Sequence, residues 1–120
     1  MKTITALMLM ILTMADQPRK VLLFYKPAGE QQWKAQLQEL EAAQKEIRER
    51  DIEIRSISGS ARNADEWKKW NVDTSEAFTF ILIGRDGGEK LRSAEIVKTD
   101  KLFGLIDAMP MRRREMKKEP

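Results

Sequence analysis

The 120-residue chain contains no cysteine and no histidine. Without cysteine there are no disulfides, no thiol catalysis, no iron–sulfur clusters and no thiolate zinc. Without histidine the usual neutral-pH general base is missing, together with the commonest metal ligand. Glycine and proline are sparse, at six and four residues, which excludes collagen-like and low-complexity architectures. No apolar run approaches the roughly 20 residues that span a bilayer. What remains is ordinary: 42% hydrophobic and 34% charged residues, at a length suited to one domain with a real core.

The net charge of +3 is confined to one end. Residues 111–120, MRRREMKKEP, hold five basic side chains against two acidic ones, so the other 110 residues sum to zero. The opposite end is apolar. Met1 and Lys2 precede ITALMLMILTM at 4–14, followed by Ala15 and a polar Asp16-Gln17-Pro18 boundary. One positive charge, a short apolar run and small residues at Thr13 and Ala15 form a secretory signal pattern. The alternative is a buried N-terminal helix or strand, but the run has no polar face. The expectation is cleavage after residue 15 and a periplasmic or secreted protein.

Between these ends the hydrophobic pattern places seven elements. Residues 20–25, KVLLFY, read as a buried strand closed by the Lys26-Pro27-Ala28-Gly29 turn. Residues 30–50 predict one helix, with Trp33, Leu37, Leu40, Ala43 and Ile47 as its apolar stripe. Residues 51–58, DIEIRSIS, alternate as a half-exposed strand. Asn63 with Glu66 suggests a capping box opening a short helix that carries Trp67 and Trp70. Residues 78–83, FTFILI, should be a central strand covered on both faces. Asp86-Gly87 supplies a hairpin turn, and residues 89–93 return as a shorter strand. Thr99 would cap a last helix with Leu102, Phe103, Ile106 and Met109 buried, stopped by Pro110.

The order is β-α-β-α-β-β-α. Strands one and two, joined by a helix, should be parallel through a right-handed crossover, and the last two form a hairpin. This is an α/β, thioredoxin-like layout: a four-stranded mixed sheet with helices on both faces, over residues 18–110, followed by the basic tail at 111–120.

Two stretches carry a more specific resemblance. IGRDGGEKLR at 83–92 and FGLIDAMPMRRREM at 103–116, with Glu49-Arg50-Asp51 before the second strand, resemble the signature of a bacterial domain family of unknown function. That domain also occurs in animal sushi-repeat-containing extracellular proteins. The resemblance implies a thioredoxin-like, peroxiredoxin-related fold, sheet order 2-1-3-4, and an exported or extracellular setting; it carries no reaction. Redox thioredoxins place C-x-x-C after the first strand, where this chain reads Lys26-Pro27-Ala28-Gly29-Glu30-Gln31, and a cis-proline before the third strand, where it has Phe78. The chain alone therefore performs neither thiol–disulfide exchange nor peroxide reduction.

Each candidate site has a plainer counterpart. The first helix N-terminus near Ala28 and Gly29, with Lys26, could hold an anion; one glycine and no Ser or Thr favour a simple strand-to-helix turn. The DGG at 86–88 sits in a hairpin, whereas phosphate loops open helices. Asp65/Glu66 and Asp86/Glu89 lack the spacing of a calcium loop, so neither metal nor cofactor is expected. Trp67 and Trp70 could form a stacking surface, though core packing with one exposed edge is commoner. Arg112, Arg113 and Arg114 could contact phosphates or anionic head groups, or remain a solvated tail or pair with the domain's acids. Met109, Met111 and Met116 beside them suggest that part of this segment docks. The functional expectation is a non-redox binding module for a protein partner or an envelope surface, with Arg112, Arg113, Arg114, Lys26, Trp67 and Trp70 as contact groups; nucleic acid is disfavoured as a partner, since the tail would meet it only in a cytosolic protein. The alternative is an enzyme using carboxylates or backbone dipoles at the former redox corner.

Overall fold

The computed structural model describes residues 17–118; the expected signal segment at 1–15 lies outside them. The elements are β1 (Arg19–Tyr25), a 3-10 turn (Pro27–Gly29), α1 (Glu30–Glu41), α2 (Gln44–Glu49), β2 (Ile52–Ser58), a second 3-10 turn (Ala61–Asn63), α3 (Ala64–Lys69), β3 (Phe78–Ile83), β4 (Glu89–Ser93), α4 (Thr99–Asp107) and α5 (Pro110–Lys118). The sheet order is β2-β1-β3-β4, with β1 parallel to β2 and antiparallel to β3, and β3 antiparallel to β4.

Strand alternation divides the core into two layers. Val21, Leu23, Phe78, Phe80 and Leu82 face Leu40, Ile47, Val97, Leu102 and Ile106 on one side. Leu22, Phe24, Ile81 and Ile83 face Ile57, Trp67 and Val72 on the other. Helices α1, α2 and α4 thus cover one face and α3 the opposite one. All six β3 residues are buried, as a strand covered on both faces requires.

Four local expectations are corrected. Residues 30–50 form two helices, broken at Ala42-Ala43, where Ala43 has left the helical region and donates its amide to the Leu40 carbonyl. The break falls where the stripe has its smallest side chain, and Ile47 beyond it is still buried in the core. Asn63 makes no side-chain cap; its amide nitrogen instead donates to the carbonyl and hydroxyl oxygens of Ser58, tying α3 to the end of β2. Thr99 is the first residue of α4, and its amide and hydroxyl both donate to the Glu39 carboxylate of α1. The fourth helix stops at Asp107, ahead of Pro110 as expected, but it is not the last: Pro110 opens α5, where its fixed φ and missing N–H suit a first helical turn.

Candidate functional site

The corner that carries thiols in redox thioredoxins is closed here. Lys26 donates its amide to the Ala77 carbonyl at 3.0 Å, and Gly29 donates to Lys26 at 2.8 Å. Gly29 is buried, and a Cβ placed on it would lie 2.1 Å from the Ala77 oxygen. The chain starting the first helix and the chain entering β3 therefore touch, and glycine alone permits that approach. The turn at Ala28 and Gly29 is a packed strand-to-helix junction, with no cradle for an anion between its two walls.

The open space lies beside this junction. The chain leaves β1 for α1 on one face of the sheet, while the neighbouring parallel strand β2 feeds α3 on the opposite face. Parallel strands whose connections diverge leave a crevice beyond their carboxyl ends. Here it is a cleft of about 460 Å³ lined by the 59–61 loop, α3, and the chain from Asn71 to Thr74, with Lys26 on its β1 side. Trp67 and Val72 supply its apolar wall and Lys68 a second cation.

Trp67 is 7% exposed. Its indole N–H donates to the Ser58 carbonyl at 2.9 Å, and its ring meets Phe24 edge-on at 5.3 Å. It is anchored in the core and gives one edge to the cleft. Trp70 does not join it: half-buried, it lies against a smaller hollow near Lys20, Ile83 and Gly84. The two indoles do not form one stacking surface. Lys26 donates its ammonium to the Thr74 carbonyl. Gly59 faces Lys26 and Trp67, where a Cβ would lie 3.2 Å and 3.5 Å from their side chains.

The far wall of the cleft is fixed from behind. Asn71 has φ 50° and ends α3 in a Schellman turn, with Val72 donating to the Trp67 carbonyl and Asn71 to that of Lys68. Arg92 of β4 holds this turn by donating to the Trp70 and Asn71 carbonyls while its guanidinium forks onto Glu89. No carboxylate lines the cleft. The nearby Asp73 carboxyl is held below the usual aspartate range by hydrogen bonds from the Ser75 hydroxyl and amide.

At the opposite end of the sheet the C-terminal arginines divide. Arg112 is 4% exposed and ion-paired with Asp107 at 3.2 Å and Glu115 at 3.5 Å. This overturns its reading as a contact for a partner. Arg113 and Arg114 are exposed on the outer side of α5. Glu115 turns inward, meeting Arg19 and Arg85 at 3.0 Å each, while Arg85 also reaches Asp51 at 3.0 Å and Arg50 forks onto Asp107 at 2.8 and 3.0 Å. The stretches at 49–51, 83–92 and 103–116 therefore meet in one ion-pair network. Burial pushes the Glu115 and Asp107 carboxyls up, but hydrogen bonds and charge from Arg19 and Arg85, and from Arg50 and Arg112, hold both below their ordinary range.

Two structural participants escape a reading of pattern alone. Arg19, 1% exposed, looks like a strand-flanking cation, yet it precedes Val21 by two residues and so shares its buried face. Gln36 is fully buried and its amide exchanges two hydrogen bonds with Val97, at 2.9 and 2.7 Å. Its signal was its place in the apolar stripe, between Trp33 and Leu40. Among the described residues no helix is long and apolar enough to cross a membrane, and no acidic cluster suits a metal.

Comparison with solved structures gives the fold. The chain is similar to thioredoxin-2, a component of malaria parasite protein secretion machinery, at 22% identity and TM-score 0.61, over 77% of this chain and 84% of that one. It is similar to a malarial protein at 23% identity and TM-score 0.60, over 76% and 96%. It is also similar to Trxlp from Edwardsiella tarda EIB202 at 19% identity and TM-score 0.54, over 82% and 91%. No curated protein matches it. A family profile does, across residues 11–115, and with the thioredoxin-like fold in place the chain belongs to the family described as Domain of unknown function (DUF4174).

Proposed function

We propose that this protein is an exported, non-redox thioredoxin-like domain that binds a ligand non-covalently in the cleft between Lys26 and α3. The observation that carries this reading is the location of the cleft. It opens beyond the carboxyl ends of two parallel strands whose helices depart to opposite faces, the usual place for a ligand in such sheets. The neighbouring corner is filled by the Gly29–Ala77 contact. The enzymatic alternative asks for a raised carboxyl converging with Lys26; the cleft wall holds none, and the carboxyls with resolved shifts are all lowered.

Export rests on the apolar run at 4–14 and the small residues before Asp16. The intact mass of the protein from its native host should correspond to a chain lacking residues 1–15. A full-length species in the cytosol contradicts export. Exposed Arg113 and Arg114 offer a second contact surface, toward an anionic envelope surface or an acidic partner.

Fragment screening by amide chemical-shift mapping tests the cleft. Hits should perturb Lys26, residues 59–64 and residues 72–74, and an Ala61→Trp variant that fills the space should lose them. Hits confined elsewhere, or unaffected by Ala61→Trp in a folded protein, contradict the reading.

A further inference from the structure

We infer that the cleft takes a small organic acid: an anionic head held between Lys26 and Lys68, with an apolar body against Trp67 and Val72. This rests on the cleft being a ligand site at all, and it names the chemistry of the ligand.

The lining is electrostatically one-sided. Lys26 and Lys68 are its two charged residues, and no Asp or Glu is among its wall residues. Among the described residues neither lysine has a carboxylate within ion-pair distance, whereas Lys34 and Lys90 are paired with Glu30 and Asp86. An ammonium has three donors. Lys26 uses one on the Thr74 carbonyl, which places its charge at the cleft and leaves two donors for a ligand oxygen. The remaining wall is uncharged: Ala61, Ala64, Trp67 and Val72 are apolar, and Ser60, Asn71 and Thr74 are polar.

These features select against the other ligand classes. A cation meets two like charges. An inorganic anion leaves the indole edge and Val72 without a partner, although their contact is part of what burial would gain. A neutral apolar compound leaves the two ammonium groups at the cleft without a bound counter-ion, since the one nearby acid, Asp73, acts on Lys26 from outside the wall and is not paired with it. A carboxylate with a flat hydrocarbon body answers both halves of the wall, and a volume of about 460 Å³ accommodates one.

The test uses a matched series on the full chain: 4-phenylbutanoate, 4-phenylbutanamide, 4-phenylbutylamine and inorganic phosphate. Binding is read from the Trp67 indole N–H resonance and the amides of residues 59–64. The carboxylate should bind at least about tenfold more tightly than the amide, weaken as salt is raised, and outcompete phosphate. The amine should not bind. Lys68→Gln should shrink the advantage of the carboxylate over the amide without abolishing it, since Lys26 remains, and should weaken the carboxylate more than the amide. Since Lys68 is exposed and unpaired among the described residues, this variant should fold normally. Amide or amine binding as tightly as the carboxylate overturns the assigned class and leaves the cleft standing as a site. Phosphate binding equally well overturns the role of the apolar wall. Failure of all four to perturb the cleft overturns both the class and the site.

Discussion

Single atoms decide the character of the corner between β1 and α1. Gly29 is irreplaceable because of what stands opposite it, since a Cβ would lie 2.1 Å from a backbone carbonyl that cannot rotate away. Gly29→Ala should lower unfolding free energy by about 1–3 kcal/mol, as overpacking does, measured by urea denaturation. Gly104, whose Cβ would meet nothing within 4 Å, is the control: Gly104→Ala in α4 should stabilise by about 1 kcal/mol through helix propensity. Equal effects of the two substitutions would contradict the close approach. Asn71 is the second such residue. In its left-handed conformation Asn71→Gly should be close to neutral, while Asn71→Val should cost about 1 kcal/mol or more. The Lys26-Pro27-Ala28-Gly29 turn was legible in the sequence; its contact with Ala77, nearly fifty residues on, was not, because nothing local records which backbone approaches a glycine.

Among the elements, α5 changes most between pattern and structure. The basic segment reads as a tail because three successive arginines dominate it. A helix separates them by about 100° each, and position 112 falls inward with Glu115 while 113 and 114 face out. Arg112 and Glu115 are three apart, the spacing that shares a helix face. That signal was present but could not announce its partners, since Arg19, Arg85 and Asp107 come from three other parts of the chain. Glu115→Ala removes the carboxylate from buried Arg19, and should cost up to about 3 kcal/mol. Arg113→Ala should change stability by less than about 0.5 kcal/mol. Similar losses from both would show that α5 is held by something other than this network.

The same element gives a pH dependence. Both Glu115 and Asp107 have folded values below their ordinary ones. Their contribution is complete above about pH 4.3 and 3.9, the ordinary Glu and Asp values. It declines below those values and is gone once pH has passed the lowered folded ones. Thermal unfolding from pH 7 to 3 should show the wild type losing its advantage over Glu115→Gln across the acid end of that range. A constant difference between the two would contradict the network's charge pairing.

At the level of the whole molecule, strand order, hairpin and two-sided coverage follow from patterns a reader can count. FTFILI must be central, KVLLFY must pair beside it, and the 86–87 turn brings β4 back. The layers are less visible, because which helix covers which face depends on crossover direction. The cleft is a product of that arrangement, not of any motif. Lys26, Trp67 and Lys68 are ordinary residues until β1 and β2 send their helices to opposite sides and leave a space among them. Trp70, only three residues from Trp67, lies at the end of α3 and borders a different hollow.

The most direct test is the set of intermolecular nuclear Overhauser contacts made by 4-phenylbutanoate bound to the full chain. Contacts are expected from its ring protons to the Ala61 and Ala64 methyls, Val72 and the Trp67 indole, with its carboxylate end near Lys26 and Lys68. Contacts to Arg113 and Arg114 on α5 in place of these would contradict it and move the binding surface to the other end of the molecule.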